Sequence, residues 1–223
     1  MNKSIIACSK NWFIQNQKNN LKKKYIIIKN KKQLNFKKLQ KLNPPFIFFP
    51  HWSYFIEEKI YKNFNCVIFH TSHLPYGRGG SPIQNLIMKG FKETEICALK
   101  ASKNLDSGDI YCKEKISLEG NLEEIFFYMS KKILKMISKI SNKKLRLTKQ
   151  AGKVHIFKRL KPSDSNIAKF KKLNDIYNKI RSVDHDDYTK VFIETKFLKI
   201  EFTKAKFING KLTCETIIKN KLI

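Results

Sequence analysis

PFIFFP (45–50) and CVIFH (66–70) are apolar at almost every position, and that uniformity decides the fold. A strand with one face in water alternates apolar and polar side chains, whereas a run apolar throughout is covered on both faces, as in a parallel sheet flanked by helices. Working outward, SIIACS (4–9) and YIIIKN (25–30) read as two further strands of this kind. LNFKKLQKL (34–42) carries its apolar residues at helical spacing. The predicted fold class is α/β, an open, mostly parallel sheet with flanking helices and a small C-terminal α+β appendage. Such sheets bind ligands beyond the carboxyl ends of their strands. His51 directly follows the third run and His70 ends the fourth, so both stand where chemistry is expected.

The rest of the chain continues the alternation. TSHLPYGRGGSP (71–82) is a Gly/Pro loop, and IQNLIMKG (83–90) is a short helix closed by Gly90. TEICALKA (94–101) is a strand, NLDSGD (104–109) a turn, and IYCKEKISL (110–118) extended. Asn121 with Glu124 reads as a capping box opening a helix to about residue 140, with Ile125, Met129, Ile133, Met136, Ile137 and Ile140 on one face. SNKKLRLTKQAGK (141–153) is polar, basic and linker-like. The expected organisation is a domain over 1–140, a linker over 141–152 and a small α+β module over 153–223. That module holds a helical stretch AKFKKLNDIYNKIRSV (168–183) and strand candidates YTKVFIE, FLKIEFTKAKF and KLTCETII.

The 223 residues suffice for a proper core, and 42% hydrophobic content marks a globular chain. The apolar run IIAC after MNKS is too short for a secretory signal, and nothing approaches the ~20 apolar residues of a membrane helix. A cytoplasmic protein without a membrane span is expected. Five irregularly spaced cysteines without a C-x-x-C pair indicate neither a disulfide framework nor a zinc site, so no metal is expected. The formal charge of +28 invites a nucleic-acid reading. However, the 46 basic residues include only four arginines (Arg78, Arg146, Arg159, Arg181), and the lysines are scattered along the chain. Base and phosphate readers favour the arginine fork. A sugar nucleotide is also an anion, so the charge does not choose the substrate.

The informative stretch is CVIFHTSHLPYGRGGSPIQ (66–84) followed by LDSGD (105–109). A histidine leaving a buried strand, a Gly/Pro loop and an aspartate in a tight turn form a plausible acid/base arrangement, although each part alone is also ordinary structure. The patterns H-x-S-x-L-P-x-x-R-G-x-x-P-I-Q and L-D-x-G-D resemble the folate-dependent formyltransferase family, in composition, order and separation. The resemblance implies a Rossmann-variant fold, 10-formyltetrahydrofolate as formyl donor and an amine as acceptor. It identifies His70 and Asp106 as the catalytic pair. An amine attacking a formyl carbon generates a developing oxyanion and an ammonium proton; the histidine stabilises the oxyanion and protonates the departing nitrogen, and the aspartate orients the histidine and helps remove the amine proton through water.

By the same resemblance Ser72, His73, Leu74 and Pro75 line the folate pocket, together with Asn104 and Leu105 of the turn before Asp106. Arg78 is a candidate contact for the anionic part of the amine substrate, with Gly79 serving the turn and Gln84 matching the motif. One departure stands out: the family carries Asn two residues before the histidine, and here that position is Ile68, which cannot donate a hydrogen bond. His51 is the residue expected to supply the missing donor.

The expected reaction is N-formylation of a nucleotide-linked amino sugar of surface-glycan biosynthesis, since no long second domain of the kind used for tRNA recognition is visible. Two alternatives stay open: formylation of methionyl-tRNA, which the charge favours, and a non-catalytic basic relative that binds nucleic acid. Whether the chain forms a homodimer also stays open.

Overall fold

The computed structural model of the chain describes residues 2–17, 21 and 23–221. In chain order the elements are β1 (Ile5–Cys8), α1 (Asn11–Gln15), β2 (Ile26–Ile28), α2 (Phe36–Leu42), β3 (Ile47–His51), α3 (Glu58–Asn63), β4 (Cys66–Thr71), β5 (Tyr76–Gly79), α4 (Pro82–Met88), β6 (Glu93–Lys100), β7 (Ile110–Ser117), α5 (Leu122–Asn142), β8 (His155–Phe157), α6 (Leu173–Val183), β9 (Val191–Glu194), β10 (Leu198–Ile208) and β11 (Lys211–Asn220).

The central sheet has the order β2-β1-β3-β4-β6-β7. Its first four strands are parallel, and β6 and β7 join antiparallel. Phe49 of β3 stands opposite Ile68 of β4, and His70 opposite Cys97 of β6. The uniform apolar runs are explained by two cores, one on each face. Ile6, Phe48, Val67 and Phe69 pack under α5 with Ile125, Met129, Ile133 and Ile137. Ile5, Ile28, Ile47, Phe49 and Cys66 pack against Leu39 of α2 and Ile60 of α3. Each such side chain, removed from water, contributes about 1.5–3 kcal/mol of burial free energy.

The capping box at Asn121 is complete: its carboxamide accepts from the Glu124 N–H at 2.9 Å, and the Glu124 carboxylate accepts from the Asn121 N–H at 3.1 Å. The helix it opens runs to Asn142. The stretch read as helical over 168–183 becomes helix only from Leu173. The Asn166 side chain takes the Ala168 N–H at 3.0 Å, and Phe170 turns in towards Ile167 and Ile180, so local capping and packing override helical spacing. Strands β9, β10 and β11 form an antiparallel sheet whose core is Ile167, Ile180, Val183 and Val191. The basic FLKIEFTKAKF run lies mostly in β10, where Glu201–Lys219 and Lys204–Glu215 pair across to β11 at 2.7 and 2.9 Å. Among the described residues no helix is long and apolar enough to cross a membrane.

Candidate functional site

His70 lies near the carboxyl end of β4, 6% exposed, and its ring is held from two sides. Nε2 is 2.8 Å from the Gly77 carbonyl and Nδ1 is 3.3 Å from Asp106 Oδ2. A carbonyl and a carboxylate both only accept, so the two contacts made together require a proton on each ring nitrogen. Asp106 Oδ2 also accepts the Gly79 N–H at 3.0 Å, which ties the aspartate to the loop leaving β4. The Asp106 backbone has φ +48°, in the left-handed region that non-glycine residues seldom occupy. Aspartate is among the side chains that tolerate it best, and the conformation aims the carboxylate back at His70.

Gln150 holds that turn. Its Nε2 donates to the carbonyls of Asp106 (2.8 Å) and Gly108 (2.9 Å), and its Oε1 accepts from Arg78 Nε (3.1 Å) and Nη2 (2.7 Å). A guanidinium only donates and carbonyls only accept, so this carboxamide fits in one orientation alone. Thr148 pairs with Ile110 of β7 through N–H···O bonds of 3.0 and 2.8 Å, which delivers Gln150 to the turn. Gly108 is required for packing: a Cβ there would overlap the Lys100 carbonyl oxygen.

The His70–Asp106 pair opens onto a cavity of about 790 Å³, within the range of small-molecule sites. Its lining includes Pro50, His51, Trp52, Ile68 and Leu105, residues 79–84 of the loop, and Arg159, Lys161, Lys179 and Tyr188 of the C-terminal part. His51 Nδ1 is 3.4 Å from Trp12 Nε1, an indole that only donates. Nδ1 is therefore the acceptor and Nε2 carries the proton. Burial, reinforced by the neighbouring Lys10 and Arg159 charges, pushes His51 down to about 4, with Asp187 opposing. The ring is thus a neutral donor at neutral pH. Ile68 sits beside it in the wall and packs against the cluster of Leu74, Cys97, Leu99 and Ile110.

Of the residues singled out in the sequence, His51, His70, Gly79, Gln84, Leu105 and Asp106 share this cavity. Ser72, His73, Leu74, Pro75 and Asn104 do not line it. Ser72 and Leu74 are buried behind β4, His73 lies against Phe91, and Asn104 is an exposed turn residue whose carbonyl accepts from Ser102 and Ser107. Arg78 also stays outside the cavity, committed to Gln150. Sequence reasoning missed Gln150, Trp12, Trp52, Arg159 and Lys179. Gln150 lay in a stretch read by composition as linker; Trp52 directly follows His51 and could have been found from that adjacency, whereas Trp12, Arg159 and Lys179 become neighbours of the site only through tertiary packing. Among the described residues no group of three His, Cys, Asp or Glu side chains could hold a metal ion.

Comparison with known proteins places two profiles on the chain: "Formyl transferase" over residues 13–125 and "Methionyl-tRNA formyltransferase, C-terminal domain" over 162–219. The methionyl-tRNA formyltransferase of Malacoplasma penetrans is 30% identical over 182 residues, covering 78% of this chain and 57% of that protein. The chain thus spans little more than half the length of this curated relative. The solved structure of methionyl-tRNA formyltransferase from Clostridium thermocellum superposes with a TM-score of 0.92 at 41% identity, covering 99% of this chain and all (100%) of the other. The N-formyltransferase of Helicobacter canadensis, solved with folinic acid and dTDP-3-aminofucose, superposes at 0.58 with 15% identity over 99% of this chain and 100% of that one, a likeness of fold alone.

Proposed function

The chain belongs to the formyl transferase family, and on that premise we propose that it transfers a formyl group from 10-formyltetrahydrofolate to the amine of methionyl-tRNA. The observation that carries the reading is the buried His70–Asp106 pair at 3.3 Å, opening on a cavity large enough for a folate head group. The cavity suits that ligand. Trp52 Nε1 is buried and has no hydrogen-bond partner among the described residues, a donor for an acceptor-rich heterocycle, and Ile68 and Leu105 also line the cavity with apolar surface. The folate supplies the electrophilic formyl carbon.

His70 delivers a proton to the departing folate nitrogen, Asp106 orients the ring through Nδ1, and the proton lost by the attacking amine returns to this pair through water. His51, neutral and protonated on Nε2, replaces the donor that Ile68 lacks and serves the oxygen that gains negative charge. Leu105 and the backbone of 104–106 flank the pterin; Ser72–Pro75 shape the loop that carries the Gly77 acceptor. The boundaries expected from the sequence shift: the stretch 141–152 read as a linker bonds through Thr148 and Gln150 to the catalytic domain, and β8 pairs with β5 while Phe157 packs in its core, so the smaller module begins after β8.

The acceptor follows the relatives. Those at 30% and 41% identity are methionyl-tRNA formyltransferases, whereas the sugar-bound enzyme is alike at only 15%. The methionyl-tRNA alternative is therefore better supported than the amino-sugar reading drawn from the sequence. A mass-spectrometric transfer assay with formyltetrahydrofolate, offering methionyl-tRNA and a panel of nucleotide-linked amino sugars, tests it. A formyl mass gain on the tRNA, lost in His70→Ala, is expected; gain on a sugar alone would overturn the acceptor, and no gain on any amine would overturn the activity.

A further inference from the structure

The contacts that hold His51 come from residues 9–12, the turn that leaves β1. The Ser9 N–H donates to the His51 carbonyl at 2.8 Å and Ser9 Oγ accepts the Ser53 N–H at 3.0 Å, so this turn fixes the backbone on either side of Trp52. Three residues on, the Trp12 indole N–H meets His51 Nδ1 at 3.4 Å and fixes the ring. The place and tautomer of His51 therefore depend on how residues 9–12 are themselves held.

Helix α1 cannot hold them alone. It has five residues and no side-chain cap, and the amides of a first helical turn find no partner within the helix. The partner comes from the C-terminal module. Asp187, between α6 and β9, accepts the Trp12 N–H on Oδ2 at 3.3 Å, and its carbonyl accepts from Lys10 Nζ at 2.6 Å. The Lys10 ammonium also stands over the Tyr188 ring, 5.1 Å from its centre. The turn is fixed from within: the Asp187 N–H donates to His185 Nδ1 at 3.1 Å and the Tyr188 N–H to the His185 carbonyl at 3.0 Å. His185 meets Phe126 of α5 in a T-shaped contact at 5.1 Å, and Trp12 stacks on the same Phe126 at 4.7 Å. Asp187 and Trp12 are thus aligned by one shared ring, and the Asp187 side chain is 13% exposed.

We propose that Asp187 is a positioning residue for formyl transfer: through Trp12 it fixes the His51 ring in the orientation and tautomer that keep Nε2–H as the donor. The inference deepens the formyl-transfer reading and rests on it in giving His51 the developing oxyanion. It ties the smaller module to the formyl-donor side of the site. A group misplaced by about 1 Å loses up to about 10²-fold in rate, so a carboxylate that acts only through its neighbours still governs kcat. Asp187 also lines the cavity, so direct contact with substrate is the competing role. Geometry and charge separate the two. His51 is held at about 4, so the ring stays neutral at neutral pH when the Asp187 charge is removed.

The test reads His51 in the free full chain, with no folate or amine present. Nitrogen-15 spectra of histidine-labelled protein at neutral pH, assigned by the signals lost in His51→Gln, are expected to show Nε2 protonated and Nδ1 without a proton. Trp12→Phe keeps a ring on Phe126 but removes the indole N–H, and so sets the size of the full effect. Asp187→Ala is expected to move the His51 signals towards those of Trp12→Phe and to lower kcat about tenfold, with KM for formyltetrahydrofolate little changed. Asp187→Glu keeps the charge and displaces the oxygens by a methylene; the same shift is expected, and it decides the matter if the alanine variant does not fold. Asp187→Asn still accepts the Trp12 N–H and is expected to keep the wild-type signals and most of kcat. Wild-type His51 signals in both the alanine and glutamate variants would overturn the proposal. So would an asparagine variant as slow as the alanine one with its His51 signals intact, which would give the carboxylate a charge role on the substrate. A wild type that formylates no amine would sink the formyl-transfer reading, while the spectra would still decide whether Asp187 holds His51.

Discussion

Arg78 donates two hydrogen bonds to Gln150, at 3.1 and 2.7 Å, and the pair faces the turn of Asp106 rather than the cavity. An arginine in a Gly-rich loop beside a candidate catalytic histidine invites a substrate-binding role. Its guanidinium instead fixes a carboxamide, which in turn holds the carbonyls of Asp106 and Gly108. The left-handed Asp106 backbone is maintained by this arrangement together with the Gly79 N–H.

Gln150→Leu is therefore expected to impair turnover although the side chain never reaches the cavity. It leaves the Asp106 and Gly108 carbonyls and the Arg78 fork without their partner, at a cost of about 1–3 kcal/mol in stability. Steady-state kinetics should show a fall in kcat of roughly tenfold or more, as misplaced catalytic groups produce. An unchanged kcat would remove Gln150 from the positioning machinery.

Asp106→Asn preserves size and can still accept the Gly79 N–H, but loses the charge opposite His70 Nδ1. A drop in kcat of about 10²–10⁴ is expected, the range for loss of acid–base function. Binding of 5-formyltetrahydrofolate, followed by titration, should stay near wild type.

His51 gives a pH signature. Its folded pKa of about 4 lies below its ordinary 6.5, so the unfolded chain binds more protons between these values. Its contribution to stability is complete above pH 6.5 and is lost as pH falls towards 4. Unfolding free energies from urea titrations at pH 6.5 and 5 should differ by on the order of 2 kcal/mol from this group. His51→Gln should flatten that slope; a slope as steep as wild type would contradict a half-buried neutral ring.

Gly108→Ala places a methyl group into the Lys100 carbonyl. Separating β6 from the turn should destabilise the fold by about 1–3 kcal/mol and abolish turnover by moving Asp106. Thermal melting beside the transfer assay reads both effects.

The thiols divide by burial. Burial pushes Cys8 and Cys66 up to about 12 and Cys97 to about 11, whereas Cys112 and Cys214 are only partly buried. A thiol-reactive chromophore should modify the last two first, and the other three only on unfolding. Rapid reaction of more than two thiols in the native protein would contradict this packing.

The sequence by itself determined the doubly covered sheet, the long capped helix and the His70–Asp106 pairing. The first two rest on local periodicity and capping, which are written in consecutive residues. The pairing, between residues at positions 70 and 106, was legible only because two separate motifs together resemble a known family. Tertiary structure alone decided what Arg78 does, that Gln150 belongs to the site, that Trp12 sets the His51 tautomer, and that Lys179 faces the same cavity. Each depends on side chains far apart in sequence, with Gln150 72 residues from Arg78 and Trp12 39 residues from His51. Composition cannot show whether a lysine is solvated or buried, nor whether an arginine already has a partner, because both are settled by which surfaces meet when the chain packs.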